Sequence, residues 1–386
     1  MQAKDRAIIK IESVAFGGAG VGRVDHVVVF VPFSAQDDEL EIEITQVKKK
    51  FARGRILKII KPSPARVKPL CRYYEKCGGC CYQHINYPYQ LSIKKNQVEE
   101  AFWKIGKMTN PPVGDVIASP RIYQYRGKAQ LHAETVPGGK IGFLDVNGGT
   151  LVHIDRCEIM EETINEKLRL LQADKQRINH QTELNIWSGD SSADADGKSI
   201  VRVVKGEKIL VPYDGFFQAN LYLTDRLVDE VCRLVSADKV NTLIDAYCGS
   251  GLFSIFLANF AEKVIGIEIN EKSIRHARIN AANAGVVNVS FIHGDMEKVF
   301  RQKFMSGNQA DLIVLDPPRT GCLQTVLKAL VDLQPHKIIY ISCNPATQAR
   351  DVQYLNGCGY HLKSLLPLDM FPQTSHIEII GLIERA

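Results

Sequence analysis

Long hydrophobic runs are missing from this chain. Its longest uncharged apolar stretch, 246–261, is interrupted by Gly249 and Gly251 and is too short to cross a bilayer. Residues 1–6 lead into no apolar segment, so no secretory signal is expected and a cytoplasmic location is. In that compartment the ten cysteines read as thiols or metal ligands rather than disulfides. Acidic residues are absent from 47–68, where Lys48, Lys49, Lys50, Arg53, Arg55, Lys58, Lys61, Arg66 and Lys68 stand. A segment of +9 inside a chain of +5 leaves the remainder at −4. One basic stripe on a mildly acidic protein is the footprint of a nucleic-acid contact, or else a solvated charged face.

What is present fits a globular chain of two or three domains: 386 residues, 45% hydrophobic and 24% charged. Residues 1–62 alternate apolar and polar positions over 7–11, 27–31, 40–44 and 55–59, separated by Gly17-Gly18-Ala19-Gly20, Asp37-Asp38 and Gly54. That spacing predicts a small β-barrel of a kind that often binds RNA. Pro62, Pro64 and Pro69 read as a stiff linker.

Cys71, Cys77 and Cys80 follow at a C-x5-C-x2-C spacing with Gly78 and Gly79 between the last two, which implies a metal centre. A fourth ligand must come from elsewhere, and Cys157 is the nearest cysteine downstream apart from Cys81, which adjoins Cys80. All-thiolate ligation suits zinc or an iron–sulfur cluster. The spacing is neither the paired C-x2-C of a zinc ribbon nor the C-x3-C-x2-C of radical adenosylmethionine enzymes. A helix is expected over 88–108 and strands over 129–134, 140–144, 183–187 and 200–204, with an exposed Ser/Asp/Gly loop over 187–198.

From about residue 209, strand–helix alternation predicts a doubly wound parallel sheet. A strand over 242–247 containing Asp245 opens into Cys248-Gly249-Ser250-Gly251 and a helix over 252–260. The next strand, 263–267, ends at Glu268, an acid placed to bind ribose hydroxyls; Val289–His293 is followed by Gly294-Asp295. A dinucleotide fingerprint wants a third glycine at position 254, where Ser254 stands, so a nucleoside without a pyrophosphate, such as S-adenosylmethionine, fits better.

The strands 311–315 and Lys337–Ser342 end in Asp316-Pro317-Pro318-Arg319 and in Cys343-Asn344-Pro345. A thiol is thereby offered at the carboxyl edge of the sheet, where ligands bind in open α/β folds. Cys343 reads as a nucleophile with Asp316 lining its crevice, or, by the commoner fate of cysteine, as a small buried hydrophobe. Glu378, just before an apolar strand over 379–383, reads as an exposed strand residue or as a buried carboxylate with a raised pKa; His376 reads as a base or a polar strand residue.

Together these stretches resemble the RNA uracil-carbon-5 methyltransferases, and among them most the enzymes of 23S ribosomal RNA. The residues that carry the likeness are Phe217-Gln218-Ala219-Asn220, 245–251, Asp316-Pro317-Pro318-Arg319-x-Gly321, Ser342-Cys343-Asn344-Pro345-x-Thr347 and the segment around Glu378. Two departures are Cys81, which makes a double cysteine, and Leu252, where a polar residue often stands. The resemblance implies an α/β chain: a Rossmann-like methyltransferase domain with a mostly parallel sheet over 208–386, preceded by a TRAM barrel over 1–62. Between them, over 63–207, it implies a β-rich iron–sulfur domain with a 4Fe–4S cluster held by Cys71, Cys77, Cys80 and Cys157. It further implies Cys343 as nucleophile, Glu378 as base, and Gln218, Tyr247, Gly249, Glu268, Asp295 and Asp316 as contacts to S-adenosylmethionine or uracil. The expected partner is RNA, ribosomal rather than transfer RNA, with the chain acting as a monomer and no membrane involved.

Overall fold

Alternating apolar residues over 6–61 close on themselves as a barrel in the computed structural model, which describes residues 1–134, 139–173, 182–189, 191–194, 197–237, 240–304 and 310–386. The barrel strands β1 (Arg6–Val14), β2 (Gly20–Val24), β3 (Val27–Val31), β4 (Glu39–Val47) and β5 (Phe51–Lys61) follow the order β1-β2-β3-β5-β4. Ile9, Ile11, Val29, Val31, Leu40, Ile42, Ile44 and Ala52 fill its interior. Gly54 is no separator: it lies within β5 opposite Ile44, where a Cβ would press on Ile42 Cδ1 at 3.0 Å, so the glycine allows close strand approach. Asp38 is likewise more than a turn residue. Fully buried, it accepts from the Ala35 and Ser63 amides and from Arg66, whose Nη2 lies 2.7 Å from Oδ2. Arg66 therefore drops out of the solvated basic stripe, and Arg55 pairs with Glu43 at 3.0 Å.

Chain contacts separate two compact units, the first made of Met1–Gln97, Arg121–Ile186 and Phe371–His376. Besides the barrel and most of helix α1 (Tyr87–Lys104) it holds, but for the last residue of β9, a four-stranded sheet of β6 (Lys128–Ala133), β7 (Ile141–Leu144), β8 (Leu151–His153) and β9 (Glu183–Trp187), in the order β8-β7-β6-β9. Helix α2 (Glu162–Ala173) packs Ile164 and Leu168 into the core of that sheet.

The second unit is Val98–Pro120, Trp187–Met370 and Ile377–Ala386. Its segment from Trp187 opens with a meander of β10 (Ser191–Asp194), β11 (Gly197–Val204) and β12 (Glu207–Pro212), which corrects the loop expected over 187–198: the Ser/Asp-rich stretch is paired, Ser192 with Ser199 and Asp194 with Gly197. Residues 190, 195 and 196 of that stretch lie outside the described residues. After α3 (Thr224–Val235) come β13 (Val240–Ala246), α4 (Leu252–Leu257), β14 (Ala261–Glu268), α5 (Glu271–Asn283), β15 (Val289–His293), α6 (Met296–Val299), β16 (Leu312–Leu315), α7 (Gln324–Leu333), β17 (Lys337–Ser342), α8 (Pro345–Gly357), β18 (Tyr360–Leu368) and β19 (Glu378–Arg385).

Seven of these strands form one sheet in the order β15-β14-β13-β16-β17-β19-β18. β13 to β17 run parallel and β19 runs antiparallel to both β17 and β18. All four residues of β16 and all six of β17 are buried, as central strands covered on both faces require. Because β19 is reversed, its first residue lies at the edge where the parallel strands end. Among the described residues, no helix is long and apolar enough to cross a membrane.

Candidate active site

The register of the sheet fixes who meets whom. Ser342, last in β17, pairs with Ile379 of β19, so the next step brings Cys343 level with Glu378. On the other side Leu315 pairs with Tyr340, and Ala246 of β13 pairs with Leu315, so Asp316 and Tyr247 leave the sheet at the same edge. Ala246 also pairs with Ile267, which puts Glu268 there too. The strand ends thus deliver a thiol, three carboxylates and a phenol to one rim.

Electrostatics ties four groups together. Burial, then the Glu378 charge, pushes the Cys343 thiol up to about 11; the Arg319 guanidinium, within hydrogen-bond reach, pulls the other way, and Asp316 adds to the rise. Burial, with Asp316 beside it, holds Glu378 well above its ordinary value against the same arginine. Burial and the charge of Asp245 raise Asp316 to about 7. Two buried acids facing one thiol favour protonated forms, and Arg319 is the cation that offsets them. Residue-type reasoning had not singled out Arg319 for a role. The only signal available was its place inside the Asp-Pro-Pro-Arg run, since nothing in a sequence says which way that side chain turns.

The loop carrying Arg319 is strapped to α8. Asn344 caps that helix, its side chain accepting from the Ala346 amide, and Pro345 follows at the first helical position. Asn344 Nδ2 and Thr347 Oγ1 both donate to the Arg319 carbonyl, at 3.2 and 3.3 Å. Gln348 Nε2 donates to the carbonyls of Tyr340 in β17 and Ile379 in β19, bridging the strands that bear the thiol and the acid.

A second part of the rim is shaped for a nucleoside. Gly251 adopts φ +83° as it opens α4, and Tyr247 and Gly249 are also left-handed. Space is open where a Cβ of Gly249 would stand. Glu268 accepts from the amides of Gly249 and Asn270, so its carboxylate is fixed at the mouth of the glycine turn. Among the described residues the buried Ser250 hydroxyl and Asp245 Oδ1 lack hydrogen-bond partners, which leaves polar capacity for a ligand. Ser254, standing where a third glycine was wanted, donates to Asp245 Oδ2 at 2.5 Å and ties α4 to β13. Asp295 caps α6 by accepting from the Lys298 amide, and its charge acts on Tyr247. Gln218 is buried in the segment before α3, and among the described residues no hydrogen bond joins it to the charged group around Cys343. Its neighbour Asn220 is structural, accepting from the amides of Tyr222 and Leu223 and donating to Ser119 Oγ.

The other four expected ligands gather within the first unit. Cys77 feels Cys71, Cys80 feels Cys157 and Cys77, and Cys157 feels Cys77, while burial pushes all four thiols up, Cys157 to about 12. Gln83 accepts from the Cys71 amide, Gly79 N–H points at Cys77 Sγ (3.4 Å), and Asn165 grips both the amide and the carbonyl of Cys157. Among the described residues no three His, Cys, Asp or Glu side chains are grouped so as to hold a single metal ion. A single zinc ion draws its sulfurs in to about 2.3 Å, whereas a cluster of several irons is a larger object that keeps its thiolates further apart. The four thiols thus lie near one another, with an amide aimed at one sulfur, without forming a group that would hold a single ion. Cys81 turns elsewhere, its thiol hydrogen-bonded to Ser375 and its amide donating to the Gln373 carbonyl.

Comparison with known proteins agrees with this arrangement. The tRNA (Uracil-5-)-methyltransferase family matches residues 203–386 and the TRAM domain matches residues 7–57. An uncharacterized RNA methyltransferase of Halalkalibacterium halodurans is 32% identical, with 97% of this chain and 96% of that protein covered. The chain belongs to the RNA uracil-5-methyltransferase family. An uncharacterized RNA methyltransferase of Clostridium acetobutylicum is 30% identical, with 98% of this chain and 96% of that protein covered. Among solved structures, the tRNA (uracil-54, C5)-methyltransferase of Pyrococcus abyssi in complex with S-adenosyl-L-homocysteine superposes with a TM-score of 0.75. That match is at 26% identity and covers 98% of this chain and 100% of that one.

Proposed function

We propose that this RNA methyltransferase moves a methyl group from S-adenosylmethionine to carbon 5 of a uracil in RNA, with Cys343 as nucleophile and Glu378 as base. The observation that carries the reading is the β17–β19 register, which sets the thiol level with the carboxylate at the sheet edge, with Asp316 and Arg319 beside both. Carbon 5 of uracil is too weak a nucleophile to be methylated unaided. The Cys343 thiolate bonds to carbon 6, and the ring becomes an enolate with electron density at carbon 5. Bound S-adenosylmethionine supplies the electrophilic methyl group. Glu378, acting in its carboxylate form and made more basic by burial, then takes the surplus proton from carbon 5, the ring double bond re-forms, and the carbon–sulfur bond breaks to free Cys343. Arg319 favours the thiolate, and Asp316, raised by burial to about 7, is able to donate a proton or hydrogen bond to the uracil edge near neutrality.

Gly249, Tyr247 and Glu268 are assigned to the nucleoside, Glu268 to its ribose hydroxyls, with Asp295 and Gln218 further contacts to cofactor or base. Cys71, Cys77, Cys80 and Cys157 are assigned to a 4Fe–4S cluster whose part is to hold the cysteine loop. The barrel, with Lys48, Lys49 and Lys50 at its β4–β5 turn, is assigned to the RNA backbone, holding a target base that leaves its stack. From the sequence resemblance to the enzymes of 23S ribosomal RNA we assign the target to ribosomal RNA. The Pyrococcus abyssi enzyme, a tRNA (uracil-54, C5)-methyltransferase by name, supports a second reading, the same chemistry on transfer RNA. Mass mapping of 5-methyluridine in both RNAs, from cells with and without the gene, decides. Loss of one ribosomal site is expected; loss of a transfer-RNA site selects the second reading, and loss of none overturns both.

A further inference from the structure

Asp351 is a buried acid that the reaction does not use. It lies on α8 with its side chain 1% exposed and serves three elements at once. Oδ2 accepts from the Tyr340 hydroxyl of β17 at 2.7 Å and from the Cys322 amide at 2.9 Å, while Oδ1 accepts from Arg350 Nε at 2.8 Å. Arg350 Nη2 reaches on to the carbonyls of Thr320 and Cys322, at 3.1 and 3.2 Å. Between those carbonyls sits Gly321 at φ +74°, where a Cβ would fall 2.6 Å from Asp351 Oδ2 and 2.8 Å from Arg350 Nη2. A carboxylate and a guanidinium thus close over a left-handed glycine, so the turn 319–322 has one conformation that fits. With Asn344 and Thr347 holding the Arg319 carbonyl, every carbonyl from Arg319 to Cys322 except that of Gly321 accepts a bond from α8 or its cap.

We propose that the Asp351–Arg350 pair is a positioning device for Arg319, aiming its guanidinium at the Cys343 thiol and thereby setting how readily that thiol ionises. This rests on the reading of Cys343 as nucleophile, and it adds two residues that touch neither RNA nor methyl donor. The charged groups facing Cys343 are Glu378 on β19 and Asp316 and Arg319 in the loop after β16; Asp351 is not among its leading electrostatic neighbours. The sign of the effect separates positioning from direct electrostatics. Taking away a nearby negative charge lowers a thiol pKa, whereas letting Arg319 drift raises it.

The test is the rate of Cys343 alkylation by iodoacetamide in the full-length protein without RNA, followed by peptide mass spectrometry from pH 7 to 10.5. Arg319→Gln sets the reference, a fall in rate of about tenfold at pH 8 for one unit of pKa. Asp351→Asn is expected to slow alkylation in the same direction, Arg350→Gln to do so less, and Arg319→Gln/Asp351→Asn to fall no further than Arg319→Gln alone. Arg350 is half exposed, so its variant keeps the proposal testable if Asp351→Asn does not fold. Faster alkylation in Asp351→Asn, an unmoved profile in Arg350→Gln, or additive effects in the double variant overturns the proposal. Failure of the underlying reading looks different: Cys343→Ala would then keep its methyl transfer whatever the alkylation profiles do.

Discussion

Asp316 illustrates what one buried side chain costs and supplies. Burial and the neighbouring Asp245 raise it from 3.8 to about 7, so the fold favours its protonated form. A raised acid lends stability below its ordinary pKa and loses it as pH climbs through the folded value. The native protein should therefore weaken between about pH 4 and pH 8, and Asp316→Asn should be the more stable at pH 8 by on the order of 1–3 kcal/mol, roughly 3–9 °C in melting temperature. At pH 4 the two should melt together. A variant equally destabilised at both pH values would contradict this. Stability gained by removing such a group should come with lost turnover, the usual relation at a strained functional site. The placement of Cys343, Glu378 and Asp316 at one sheet edge was legible from the sequence because each stands next to a recognisable strand. Arg319 and Asp351 were not, since a guanidinium three residues into a loop and an acid in mid-helix acquire meaning only from what they face.

At the scale of elements, Ser254 shows why a broken fingerprint was informative. Its hydroxyl donates to Asp245 Oδ2, while among the described residues Oδ1 lacks a partner. Ser254→Ala removes that side-chain bond and leaves the buried carboxylate only the residue-254 backbone amide, at about 2 kcal/mol, or roughly 4–8 °C in melting temperature at pH 8. The loss should shrink at pH 5, below the value of about 6 to which burial lifts Asp245, because the hydrogen bond favours the charged form. Equal losses at both pH values would count against it. Elements with strong apolar runs and clear turn signals were readable: Lys337–Ser342, Val289–His293 and Glu183–Trp187 fall where the pattern put them. Three of those missed share a physical reason. β2 is glycine-rich, β10 is Ser/Asp-rich and β8 has three residues, so pairing with neighbours rather than local preference makes them strands. α1 was found despite a weak apolar face, because Gln90, Lys94 and Gln97 are buried on it and hydrogen-bonded to loop carbonyls.

For the molecule as a whole, composition told little and spacing told much. A +9 stripe singled out the barrel's last strand, yet folding cancels part of it through Asp38 and Glu43, residues that lie outside the stripe in sequence. The chain weaves between its two compact units, so the short piece Phe371–His376 belongs with the barrel and cysteine loop while Glu378, two residues later, opens β19. No reading of linkers could have drawn that division, because it depends on contacts far apart in sequence. The account stands on a covalent bond between one sulfur and one pyrimidine carbon. Its most direct test is to incubate Glu378→Gln with S-adenosylmethionine and substrate RNA, digest both polymers and sequence the cross-linked peptide by mass spectrometry. The account predicts a methylated uracil attached to Cys343, absent when Cys343→Ala is combined with that change. Attachment at another residue, or 5-methyluridine formed at the native rate by Cys343→Ala, would contradict it.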